Sequence, residues 1–211
     1  MKLYLSSFPI GSGSAWLREN AGSRGEVGVI LYAIDDRTPE ARKASWRRES
    51  SALQNLGFQT IELDLRVDRC THIMRSIGTV WVRGGNTFLL RQRIAQSGIE
   101  DLLVRRVADG DLMYAGYSAG ATVLTRDITY LASIDDPHVA GSPPPERGLG
   151  LLDRPLIPHV DSPGHPESGA CTQVSRDLRS RNIEHWALSD GQVLIQQGPV
   201  ISLLSPPREE G

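Results

Sequence analysis

Three short apolar runs, each followed by a glycine or a capping residue and then a helix-like stretch, fix the fold class. They are 28–34 (GVILYAI), 79–82 (TVWV) and 112–116 (LMYAG). Runs that are continuously apolar belong to strands covered on both faces, as in parallel sheets flanked by helices. Between them, 38–56 reads as an amphipathic helix entered from Asp35-Asp36 and closed by Gly57. Residues 1–7 and 58–65 read as further strands, and 70–76 as a short helix. Residues 86–95 and 99–108 are helical, punctuated by Gly98 and Gly110. This rhythm specifies an α/β fold: a three-layer sandwich with a mostly parallel central sheet. Such sheets carry their sites at the carboxyl ends of strands. Gly84-Gly85 and Ser118 both follow a strand directly, so they are expected on one sheet edge.

The texture changes after residue 134. Residues 135–150 and 161–169 read as loops, 155–160 as a strand and 171–179 as a helix. The stretches 183–188, 192–196 and 200–204 read as short antiparallel strands, and the tail 206–211 is expected to fray. At 211 residues the chain is read as one domain. A net charge of −2, with arginines spread among acids, gives no case for a nucleic acid or an anionic membrane surface as partner. No apolar run reaches bilayer length, and residues 1–7 are too short for a signal peptide. Cys70 and Cys171 stand far apart without metal-ligand spacing. A cytoplasmic protein without metal or cofactor is therefore expected, as a monomer or homodimer.

Gly116-Tyr117-Ser118-Ala119-Gly120-Ala121 has the pattern Gly-x-Ser-x-Gly directly after an apolar run. That is the signature of a nucleophile elbow, a sharp strand-to-helix turn that exposes a serine hydroxyl. The Ala119 N–H stands where it can stabilise a developing oxyanion. Gly84-Gly85-Asn86-Thr87-Phe88 reads either as a tight turn capped by Asn86 or Thr87, or as the second half of an oxyanion hole. It is neither GxGxxG nor a Walker loop.

A serine nucleophile needs a base and an orienting acid. Five histidines compete. His72 lies in a helix-like stretch before the elbow, and His138 and His165 lie in polar loops, where a surface role is the default. His185 stands beside Trp186 in a terminal strand, while His159 ends an apolar run and opens a loop. Spacing alone does not choose between His159 and the other four. Asp190 stands in a Ser-Asp-Gly turn that by itself reads as a hairpin turn, and Asp135, Asp136 and Asp161 are alternatives. An α/β-hydrolase esterase would run Ser, Asp, His, using Asp153 or Asp161 with His185. A binding module that keeps the elbow without turnover is the non-enzymatic alternative.

Together, Gly84-Gly85-Asn86-Thr87-Phe88, Gly116 to Ala121, Pro158-His159, Ser189-Asp190-Gly191 and, more weakly, 11–17 resemble the peptidase E (aspartyl dipeptidase) family of serine peptidases, to which cyanophycinases are related. The resemblance runs over most of the chain. It implies a single domain similar to class I glutamine amidotransferases, acting on small peptides. It also implies Ser118 as nucleophile, His159 as base and Asp190 as acid, with the Gly85 and Ala119 N–H groups as oxyanion hole. Asn86, Thr87 and Asp135 are the expected substrate-binding positions. The sequence departs from the family at one point. Aspartyl dipeptidases carry Gly-Glu-Thr-Arg after the histidine, and its arginine is implicated in binding the substrate's aspartate. Here 168–173 (SGACTQ) brings no arginine before Arg176, so the resemblance does not extend to a strict preference for Asp-Xaa.

Overall fold

A computed structural model describes residues 1–21, 25–67 and 69–207. The end of the expected tail, 208–211, lies outside the described residues. Seven strands form one sheet: β1 (Lys2–Ser6), β2 (Glu26–Ile30), β3 (Gln59–Glu62), β4 (Thr79–Val82), β5 (Met113–Tyr117), β8 (Val193–Gln197) and β9 (Val200–Leu204). Their order is β3-β2-β4-β5-β1-β8-β9. The first five are parallel, while β8 and β9 run antiparallel.

Both faces of the sheet are buried at the central strands β4 and β5, which accounts for the unbroken apolar runs. Leu3, Leu5, Val80, Val82 and Tyr114 enter one core, and Tyr4, Trp81, Met113, Ala115 and Tyr117 the other. The helices α3 (Arg69–Ser76), α4 (Thr87–Ser97) and α5 (Glu100–Asp109) cover the first face with Met74, Leu90, Ile94, Leu103 and Val107. The second face is covered by α1 (Ser14–Asn20) and α2 (Pro39–Asn55) through Leu17 and Leu53. Thr38, rather than Asp35 or Asp36, caps α2 by accepting from the Ala41 N–H at 3.2 Å. No helix among the described residues is long and apolar enough to cross a membrane.

Three expected strands are corrected. The run 28–34 leaves the sheet after Ile30, because Tyr32–Ile34 wind into a 3₁₀ turn. That turn presents the Ala33 carbonyl to the Asn86 N–H at 2.7 Å. The strand expected over 155–160 contracts to β6 (Leu156–Ile157), since Pro155 and Pro158 on either side have no N–H to donate. The 183–188 segment forms β7 (Trp186–Ala187), which pairs parallel with β6 in a separate two-stranded sheet rather than antiparallel.

The elbow is a tight joint. Tyr117 ends β5, Ser118 has φ 49° and ψ −119°, and α6 (Ala119–Thr122) begins at once. A Cβ on Gly120 would lie 2.1 Å from the Val82 carbonyl oxygen, and one on Gly116 would lie 2.8 Å from the Gly120 oxygen. Only hydrogen fits there. Gly120→Ala is expected to lower unfolding free energy by about 2 kcal/mol or more, read from urea denaturation. Gly169→Ala, at a position with open space, is the control and should leave stability unchanged or slightly higher.

Candidate active site

The carboxyl edge of the parallel strands gathers the groups that the sequence keeps apart. β1 leads into Ser7, β4 into Gly84-Gly85 and β5 into Ser118. Because β8 is antiparallel, with Ser6 opposite Val193, the turn before it also opens at this edge. That register delivers Asp190. His159 arrives from β6. Its neighbour Val160 donates to the Leu188 carbonyl at 3.0 Å, and Leu188 donates to the Ile157 carbonyl at 2.9 Å. The small sheet thus fastens 157–160 alongside 187–190.

His159 is 1% exposed, with φ +57°. Its Nδ1 lies 2.6 Å from Asp190 Oδ1, which leaves Nε2 free. Ser7, absent from the sequence reading, completes this arrangement. Its hydroxyl donates to Asp190 Oδ1 at 2.8 Å and accepts the His159 N–H at 2.8 Å. Asp190 N–H in turn donates to Ser162 Oγ at 2.8 Å. A serine ending a strand carries no local signal, so only the topology could have found it. Burial lowers the imidazole's proton affinity, opposed by the hydrogen bond and charge of Asp190.

Ser118 and His159 line one cavity of about 730 Å³. The Ser118 hydroxyl makes no hydrogen bond among the described residues, and a Cβ on Gly84 would lie 2.9 Å from the Ser118 Cβ. The end of β4 therefore lies directly against the serine, as expected from its position after a strand. Gly85 has φ +144°, and a Cβ there would meet the Ala33 oxygen at 2.3 Å. Neither the Gly85 nor the Ala119 N–H finds an acceptor among the described residues. Two unpaired donors beside an unpaired hydroxyl are what an oxyanion requires.

The expected substrate-binding trio lies beside this cavity and outside its lining. Asn86 caps α4 by accepting from the Leu89 N–H at 2.9 Å, and donates to the Asp136 carbonyl at 2.8 Å. The Thr87 N–H donates to Asp135 at 2.8 Å, and the Thr87 hydroxyl meets that of Thr122 at 2.9 Å. These bonds tie α4 to the segment after the elbow. Burial pushes the Asp135 carboxyl up to about 6, despite the Thr87 bond that favours its charged form.

The cavity wall contains what the segment after His159 lacks. Arg37, Arg48 and Arg83 all line it. Arg83 lies 3.5 Å from Glu49, which also accepts from Trp81 Nε1 at 2.8 Å and Tyr117 Oη at 2.6 Å. Three neighbours thereby fix Glu49, and Glu49 faces the Arg83 guanidinium in the wall. His185 is elsewhere, bonded to Ser175 at 2.8 Å and the Ile183 carbonyl at 2.9 Å. Asp153 pairs with Arg126 at the surface, so the esterase order gains nothing from this geometry. His165, expected at the surface, is a correction. It is half-buried and its ring lies flat on that of His159, centroids 3.5 Å apart. His159, His165 and Glu167 bring ligand atoms within 4.8 Å of one another. The two ring planes are parallel to within 3°, so their in-plane lone pairs do not converge on one point. The pair is a stack rather than a ligand set.

Comparison with known proteins follows the same lines. The model of peptidase family S51 matches residues 38–204. An uncharacterized peptidase of Listeria innocua is 35% identical over 114 residues, covering 53% of this chain and 54% of that protein. A Drosophila melanogaster protein named "Probable alpha-aspartyl dipeptidase" is 34% identical over 140 residues, covering 66% of this chain and 54% of its own length. The chain thus spans about half the length of the curated relatives it matches. A solved Listeria monocytogenes structure, named as a peptidase E protein, superposes with a TM-score of 0.79 over 98% of both chains at 23% identity, a likeness of fold.

Two predictions follow from this geometry. Ser7→Ala leaves the buried His159 N–H without its acceptor and should lower unfolding free energy by about 1–3 kcal/mol in urea titrations. Asp135 holds its proton to higher pH when folded than when unfolded. Its contribution to stability is therefore present in acid and lost as pH rises from the ordinary carboxylate range through about 6. Thermal melts at successive pH values should show Asp135→Asn losing less stability across that window than the unaltered protein.

Proposed function

The chain belongs to peptidase family S51, and from that premise we propose that it hydrolyses short peptides, dipeptides foremost, through Ser118, His159 and Asp190. His159 Nε2 takes the Ser118 proton as Oγ attacks the scissile carbonyl. Asp190, bonded to Nδ1 at 2.6 Å, fixes the tautomer and stabilises the imidazolium. The oxyanion is received by the Gly85 and Ala119 N–H groups, each such donor contributing about 3 kcal/mol to barrier lowering. The imidazolium then protonates the departing amine, and water activated by His159 hydrolyses the acyl-enzyme.

The observation that carries this reading is that His159, bonded to Asp190, lines the same cavity as a serine held at φ 49°. The Ser118 hydroxyl makes no hydrogen bond to the imidazole among the described residues, and such bonds commonly tighten only around substrate. The peptidase order Ser118, His159, Asp190 also matches the family resemblance. Arg37, Arg48 and Arg83 line the cavity and suit a substrate carboxylate, from an acidic side chain or from the free end of a dipeptide.

A dipeptide library that includes Asp-Xaa, with amidated counterparts, separates those two carboxylates and tests the activity. Ser118→Ala and His159→Ala should each lower kcat/KM by 10³-fold or more, on the order of other serine hydrolases. His185→Ala should leave it within about threefold, as a substitution away from the reacting groups. Full activity in His159→Ala with loss in His185→Ala would overturn the assignment.

A further inference from the structure

We propose that His165 is a positioning residue: its ring, stacked on His159, holds the base in its Asp190-bonded orientation and shields it from water. The inference rests on the reading of His159 as base.

The stack is built from several contacts. The rings lie 3.5 Å apart at 3°, and Phe8 meets both edge-on, at 6.2 Å from His159 and 5.8 Å from His165. Phe8 is otherwise half-exposed, an apolar ring kept at the surface where it borders both imidazoles. The backbone under His165 is fixed. Its N–H donates to the Ser162 carbonyl at 2.8 Å, and its carbonyl accepts from Ser168 at 3.1 Å, where α7 (Ser168–Ser180) begins. Ser162 itself accepts the Asp190 N–H through its hydroxyl, at 2.8 Å, and donates its own N–H to Ser168 Oγ at 2.8 Å. The loop that carries His165 is therefore anchored to the turn that carries Asp190. Base, acid and stacking ring share one scaffold.

The chemistry follows from the spacing. His159 lines the cavity yet is almost wholly buried, and the His165 ring lies flat on one of its faces. Three titratable groups face it. Asp190 and Glu167 favour its charged form, whereas His165 disfavours it. Burial outweighs them and shifts the imidazole toward its neutral form. A second proton in the stack would place like charges 3.5 Å apart, so the pair resists double protonation. Removal of His165 uncovers one face of His159 and removes the repulsion together. Both changes raise the pH at which His159 charges.

The test reads the ring directly and needs no substrate. Imidazole proton resonances of His159 are titrated by NMR in full-length Ser118→Ala protein, alone and combined with His165→Ala or His165→Phe. The His165→Ala midpoint should rise by about half a pH unit or more. His165→Phe, which keeps a flat cover without charge, should stay closer to the parent. In protein with Ser118 intact, the rate of labelling by a fluorophosphonate should fall in His165→Ala, its acidic limb displaced upward, and recover in His165→Phe. An unchanged His159 midpoint in folded His165→Ala, verified by circular dichroism, overturns the proposal. So does a shift equally large in both variants, which would assign the effect to lost repulsion rather than to the flat cover. Absence of labelling in the unaltered protein would count against the serine-peptidase reading, while the NMR midpoints still decide the role of His165.

Discussion

The site rests on a contact between two backbones. Gly120 lies so close to β4 that a Cβ would stand 2.1 Å from the Val82 oxygen, and Gly116 is similarly pressed against Gly120. That approach allows β4 and β5 to end side by side, with Gly84 against the Cβ of Ser118. It also leaves the Gly85 and Ala119 N–H groups without acceptors among the described residues, because the chain turns away from the sheet at both points. Such donors are costly to bury unpaired and useful when a ligand can pair them. The strained φ of Ser118 belongs to the same geometry, held by the packing of strands on either side.

A second constraint is directional. The five parallel strands can offer only their own carboxyl ends to this edge. An acid from the C-terminal part of the chain reaches it because β8 runs the other way, so that its entry turn, rather than its exit, faces the serine. The two-residue β6–β7 pair then sets His159 at the height of Asp190. Ser7 joins the three segments through two bonds of 2.8 Å. Burial of the imidazole and the adjacent carboxylate act in opposite senses on its charge, and their balance favours the neutral ring.

The cavity's cations come from parts of the chain remote from His159. A search along the sequence beyond His159 finds no arginine before Arg176. In space, Arg37 and Arg48 come from the beginning and middle of the α2 region and Arg83 from the end of β4. A carboxylate responds to a guanidinium within reach, whichever element supplies it. Glu49, braced by Trp81 and Tyr117, faces Arg83 in that wall.

The unbroken apolar runs, their glycine and capping punctuation, and the Gly-x-Ser-x-Gly turn were enough to specify an α/β sheet with Ser118 and Gly84-Gly85 on one edge, since these depend on local periodicity and on hydrogen in place of a side chain. The motif order also carried the family. The short pairing at 156–157 was obscured because apolar content does not reveal that prolines remove the donors. Ser7, His165 and Arg83 could not be picked out, as a serine at a strand end, a histidine in a polar loop and an arginine before two glycines look alike wherever they occur. Their significance comes from an antiparallel β8, a loop anchored at Ser162 and a helix laid across the sheet. Sequence determined which segments become strands and where the backbone turns sharply, because these are interactions between near neighbours. Tertiary structure decided which polar groups meet, because distances of 2.6 to 3.5 Å between residues far apart in the chain depend on how the layers pack.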